Sequence, residues 1–205
     1  MSRDFQQTHE NLLVCAKKHF LLLGFEKASI REICKDANVT NGAFYRHFND
    51  KEALFGALVD PVINEVDKIY SNSVRQHIEL VHTVELNSIW QLSERTIVEI
   101  IEYIYDHFDE FRLILMNSEG TKYSSFLDDV VRMEVRETIL LFHELKIQKV
   151  FVRDLDEEEW HMLIHAFYSS LTEVVLHNYP KEAAVKYAHT LFVFFSSGWQ
   201  HVLGI

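Results

Sequence analysis

The chain has 205 residues, a formal net charge of −11, and only two prolines and six glycines. So few breakers favour long helices over a many-turned sheet, and no apolar run of 18 residues is present to span a membrane. MSRDFQQTHEN lacks the apolar core of a secretory signal, and two cysteines, Cys15 and Cys34, both on apolar helix faces, read as buried thiols of a reducing cytoplasm.

In chain order, Asn11 to Leu23 reads as a helix with Leu12, Ala16, Phe20 and Leu23 on its apolar face, stopped by Gly24. Next comes SIREICKDANVTNGAFYRHF, Ser29 to Phe48. Ser29 and Glu32 have capping-box spacing. Ile30, Ile33, Cys34 and Ala37 then make one apolar face over two turns. Asn38 suits a left-handed reversal, Val39 plugs the turn, and Thr40 caps a second short helix. Asn41-Gly42-Ala43 keeps that helix slim at its start, while Phe44 and Phe48 return to the core. The pattern is a helix-turn-helix, the form in which a helix is presented to the DNA major groove. Asn49, as a cap, with Glu52 at its third position, opens another helix.

The order of helix, Gly-Phe, capped helix, turn and then G-x-F-Y-R-H-F-x-x-K-E-x-L resembles the TetR family of bacterial transcriptional regulators. The resemblance covers about the first quarter of the chain, and YRHFNDKEAL is its most specific piece. Asn38 departs from the family's usual glycine, and the short N-terminal arm has only Arg3 as a basic residue. The resemblance implies an all-α fold with a three-helix DNA-binding domain over residues 1–56, then a helical effector-binding and dimerisation domain over 57–205. It also implies contacts to DNA. Thr40, Asn41, Gly42 and Ala43 are expected at base edges, and Tyr45, His47 and Lys51 at phosphates. Arg46 suits either task, and the helix start at Ser29 offers backbone N–H groups to a further phosphate.

A chain this acidic should be repelled by DNA, but the charge is uneven. Residues 1–56 carry 8 Lys/Arg against 7 Asp/Glu, while 57–205 carry 12 against 24. The acidity therefore belongs to the second region, and DNA affinity is expected to fall quickly with salt.

Beyond Asp50 the periodicity predicts helices from Asp50 to about His77, Glu85 to His107, Asp109 to Asn117 and Thr121 to His143. Pro61 lies inside the first of these, where a kink, passive or functional, is expected. The acidic run from Asp154 suits a helix start, and that helix continues to His177. Pro180 suits the first turn of the last helix, to about Val202.

The last helix contains Leu191-Phe-Val-Phe-Phe195 and then Trp199, apolar on every side. Such a helix needs cover all round. A partner subunit supplies it most simply, and the resemblance implies that the last two helices pair with their copies in a homodimer. Trp160, Phe167, Leu171, Leu191, Phe192, Phe195 and Trp199 are the expected interface. In the middle region Tyr70, Trp90, Tyr103, Phe108, Phe111, Phe126, Met133 and Phe142 are expected to surround an apolar pocket. There the resemblance implies a small apolar or amphipathic effector that relieves repression at a pseudo-palindromic operator.

No Gly-rich phosphate loop, G-x-S-x-G elbow or H-E-x-x-H occurs, so no catalytic residue and no cofactor are assigned. His161 and His165 have chelating spacing, but no cysteine is near and no metal site is assigned. The alternatives are a DNA-binding dimer with no ligand and, more remotely, a helical metal-dependent enzyme.

Overall fold

The computed structural model describes residues 3–83, 86–150 and 152–204. Among the described residues the chain forms nine α-helices, one 3-10 turn and no strand. They are α1 (Arg3–Lys27), α2 (Ile30–Asp36), α3 (Asn41–Phe44), α4 (Lys51–Thr83), α5 (Leu86–Asp106), α6 (Phe108–Met116), α7 (Phe126–Ile147), α8 (Glu157–Leu176) and α9 (Lys181–Leu203), with the 3-10 turn at Lys122–Ser125. No helix among them is long and apolar enough to cross a membrane.

The chain divides into two compact units. Unit 1 is Met1–Asn64 with His107–Ser125, and unit 2 is Glu65–Asp106 with Phe126–Ile205. These compact units differ from the expected division at 56/57 in that a stretch from the middle of the chain belongs with the N-terminal helices. The boundary at 64/65 falls within α4, which runs as one helix through Pro61.

Unit 1 is built around aromatic residues. Leu12, Ala16 and Phe20 of α1 are fully buried, as are Phe44, Leu54 and Phe55. Phe20 and Phe25 both meet the Phe55 ring edge-on, at 5.2 and 5.5 Å between centroids. Each such ring contributes about 1.5–3 kcal/mol by leaving water. α6 adds Phe111, Leu113 and Ile114 to the same core. Gly24 breaks α1 as its sequence position predicts, with φ 77° and ψ 163°. The freed Phe25 N–H then donates to the Asn117 carbonyl at 2.9 Å. Gly56 is needed for another reason: a Cβ there would stand 2.6 Å from the Tyr123 hydroxyl, which donates to Asp60.

In unit 2, α5 packs on α9 and α7 on α8. Asp156 and Glu159 form a reciprocal capping box at the start of α8, as the acidic run suggests. Asn178, at φ 50°, ends that helix, and Pro180 is the N-cap of α9. The core gathers Val81, Ile89, Val131, Val135, Leu145, Trp160, Ile164 and Leu203.

Candidate nucleic-acid interface and helical cavity

Within unit 1 the helix-turn-helix forms where the sequence places it. Ile33 and Cys34 are buried, and Ala37 closes α2. Asn38 takes the left-handed conformation at φ 57°, which Asn tolerates at small cost. Thr40 caps α3, its hydroxyl oxygen accepting from the Ala43 N–H at 3.1 Å. Phe44 is fully buried and Phe48 nearly so, and these two anchors seat the segment on the core. The α-helical part of the second helix is only Asn41–Phe44, continued by hydrogen-bonded turns to Phe48.

This seating leaves Thr40, Asn41, Gly42, Tyr45 and Arg46 exposed, with Ala43 half-buried. Among the described residues, the only neighbour within 4 Å of a Cβ added at Gly42 is Thr40 Oγ1, at 3.9 Å. The fold therefore does not require glycine there, and the missing side chain matters only to something approaching from outside. Gly42→Leu is expected to leave the melting temperature within a few degrees of the parent. It should reduce specific DNA binding more than tenfold, measured by fluorescence anisotropy on a selected site. An unchanged affinity would remove this segment from the interface.

Three expectations for this region need correction. Ser29 is exposed at the start of α2, but its side chain makes no capping hydrogen bond, and Glu32 pairs with Lys35 instead. The cap of α4 is Asp50 rather than Asn49, its carboxylate accepting from the Ala53 N–H at 2.7 Å. Glu52 accepts instead from the Lys122 N–H.

Lys51 and His47, both expected at phosphates, are turned inward. The Lys51 ammonium donates to the carbonyls of Phe25, Glu26 and Ala28 at 2.7, 3.1 and 3.0 Å, and lies over the Phe25 ring. These three bonds use every N–H of the ammonium. His47 stacks on Phe5 at 4.0 Å, and its Nδ1 is buried with no hydrogen-bond partner among the described residues. Burial, then the neighbouring His9 and Arg46, lowers its pKa and disfavours the imidazolium. Of the expected phosphate ligands on this segment, Tyr45 and Arg46 are the exposed ones.

Unit 2 encloses a cavity of about 570 Å³ between α4, α5, α7, α8 and α9. Tyr70, Trp90 and Phe142 line it, as expected of them. Tyr103, Phe126 and Met133 do not, and Phe108 and Phe111 belong to unit 1, where Phe111 is buried in the core. The residues expected at a dimer interface lie against the interior of their own unit. Trp160, Phe167, Phe192, Phe195 and Trp199 line the cavity, while Leu171 and Leu191 are buried. Trp160 stacks on Trp199 at 5.3 Å, and Phe167 meets Phe195 edge-on. The residues left outside on α8 and α9 are Met162, Leu163, Val193 and Phe194.

The polar part of the cavity was not picked out from the sequence. Ser73, His77, Ser93 and Thr96 form one hydrogen-bonded ladder. Burial lowers the His77 pKa, only partly offset by its bonds to the Ser73 and Ile89 carbonyls, so the ring is neutral near pH 7. Glu134 lines the cavity too, with hydrogen bonds to Tyr70, Tyr168 and Thr138. Burial, then Glu137, raises its pKa. Glu134 and Thr138 at i, i+4 were the available signal, but nothing in spacing separates an inward carboxylate from the many outward ones. On α8, the His161 and His165 rings lie 6.0 Å apart, and no third metal-ligating side chain joins them among the described residues.

Residues 12–58 match the family model described as bacterial regulatory proteins, tetR family. The HTH-type transcriptional regulator UidR of Escherichia coli K12 is 32% identical over 85 residues, 42% of this chain and 41% of that one. AcrR of Shigella flexneri is 30% identical over 122 residues, 55% of this chain and 56% of that one. The chain thus spans about half the length of the curated relatives it matches. These relatives are regulators rather than enzymes. The fold is similar over its whole extent to the crystal structure of NalD, the secondary repressor of the MexAB-OprM multidrug efflux pump in Pseudomonas aeruginosa. That match has a TM-score of 0.63 and 17% identity, and covers 98% of both chains. GusR of Salmonella enterica gives 0.57 at 19% identity, over 97% of this chain and 96% of that one.

Proposed function

Because this chain belongs to the TetR family of bacterial regulatory proteins, we propose that it is a sequence-specific DNA-binding repressor, acting as a homodimer and released from its operator by a small molecule in the unit 2 cavity. The observation that carries the DNA-binding part is the slim, exposed start of α3. Thr40, Asn41 and Gly42 stand clear of the protein, while Phe44 and Phe48 fix them from behind. Thr40, Asn41, Gly42 and Ala43 meet base edges in the major groove, and Tyr45 and Arg46 meet phosphates. The start of α2 at Ser29 brings backbone N–H groups, which lack intrahelical acceptors, to another phosphate. With so few cations facing the duplex, affinity depends on shape and base contacts, and it falls only gradually with salt, in correction of the quick fall expected from the sequence.

Dimerisation places the exposed face of α8 and α9 against its copy. Met162 and Phe194 are 70% and 72% exposed, and a Cβ added at Gly198, one turn beyond Phe194, would meet nothing within 4 Å among the described residues. An open strip beside large apolar side chains suits the close approach of a second helix. The interface residues are therefore the outward neighbours of those expected from spacing.

Release follows if the effector prefers a conformation in which the two recognition segments no longer match the half-sites. A hundredfold preference corresponds to about 2.7 kcal/mol, within the usual range of coupling. Pro61 in α4, whose missing N–H leaves the Ala57 carbonyl without an intrahelical donor, is the candidate point of bending.

The test is selection from random duplex DNA. The expected product is an inverted repeat with half-sites about one helical turn, roughly 34–36 Å, apart. Recovery of asymmetric single sites alone would contradict the dimeric reading.

A further inference from the structure

On the reading that the unit 2 cavity is the effector site, we propose that its ligand is a lipophilic cation, its charge met by the Glu134 carboxylate and its apolar body by the aromatic wall. The argument begins with charge. Glu134 and Glu137 line the cavity, and no lysine or arginine does among the described residues. Tyr70 and Tyr168 hydrogen-bond to Glu134, but they bring dipoles and no positive charge.

Of the two histidines that line the cavity, His77 is held neutral by burial and engaged through both ring nitrogens, with Ser73 and Ser93. His82 is exposed. No cation is among the groups that act on Glu134. A carboxylate withdrawn from water without a counter-charge is costly. Its proton affinity is raised in consequence, and an arriving cation would return it to the ionised state.

The walls fit the same ligand. Trp90, Trp160 and Trp199, all the tryptophans of the chain, line the cavity. Indole and phenol faces attract cations, most strongly where water is excluded. An anion would face Glu134 and Glu137 together, and a neutral molecule would leave the carboxylate as it was.

The test uses the full chain and its own tryptophan fluorescence, which reads this cavity. Tetraphenylphosphonium is compared with tetraphenylborate, an anion of nearly the same shape, and neutral N-phenyl-1-naphthylamine reports on occupancy. The phosphonium is expected to quench saturably and to displace the reporter at least tenfold more tightly than the borate does. Glu134→Gln keeps the shape and an acceptor for the tyrosine hydroxyls. It should weaken phosphonium binding about tenfold, a modest ion-pair contribution, with reporter affinity unchanged. If the reporter binds and the two ions compete equally, or the borate competes better, the cationic class is overturned while the effector-site reading stands. If neither the reporter nor either ion binds, the class and the reading beneath it fall together.

Discussion

Phe194→Asp is expected to turn the proposed dimer into monomers and to abolish binding to a palindromic site while leaving the recognition segment untouched. Phe194 is 72% exposed and Val193 beside it 58%, so neither contributes much to the fold of a single chain. In a two-fold interface each substitution is buried twice, once from each protomer. An unpaired buried charge costs several kcal/mol, enough to raise the dimer dissociation constant more than a hundredfold. Sedimentation velocity reads the effect directly, and circular dichroism should show helix content unchanged. A variant that stays dimeric would place the interface on another face. Phe195→Glu is a poorer experiment, because Phe195 lines the cavity and touches Phe167. It would disturb the effector site and the interior of unit 2 together.

Lys51→Met separates two accounts of a residue that the family resemblance places at a phosphate. Its ammonium joins three carbonyls at the end of α1, where a cation also answers the helix dipole. Methionine keeps the stem over Phe25 and removes every donor. The expected loss is roughly 2–3 kcal/mol of stability, as for hydrogen bonds from a charged group, seen as a lower denaturant midpoint. DNA affinity should then fall on all sequences in proportion to unfolding, with the salt slope of the folded protein unchanged. An unchanged midpoint with a slope reduced by about one unit would instead mark a lost phosphate contact.

The helices themselves were legible because their signals are local. Gly24 breaks α1, Asn38 adopts positive φ, Asp156 and Glu159 form their box, and Pro180 starts α9. What spacing could not supply was the destination of a face. Phe192, Phe195 and Trp199 do share a side of α9, but that side lines the cavity of their own unit, leaving Val193 and Phe194 outside. A helix apolar all round defines faces without saying which neighbour each will meet. Lys51 failed for a related reason. Its acceptors lie 23 to 26 residues earlier, at the C-terminal end of α1, where carbonyls lack donors within the helix. The membership of Phe108 and Phe111 in unit 1 depends likewise on distant contacts, such as that between Lys17 and Glu110.

The insertion of His107–Ser125 into the N-terminal unit limits how freely this DNA-reading head can be exchanged. A hybrid regulator that borrowed only residues 1–64 would leave behind Phe111, Leu113, Ile114 and Tyr123, all buried here. The rings of Phe20, Phe25 and Phe55 would then face whatever the host protein offered at that place. Gly56 fits against Tyr123, and Gly120, at φ 83°, leaves room for Glu26, where a Cβ would come within 2.9 Å of Cγ. The two stretches are thus matched to one another at single-atom resolution. Functional grafts should be those that transplant both segments from one parent, and random recombination should keep the two parentages linked although more than forty residues separate them.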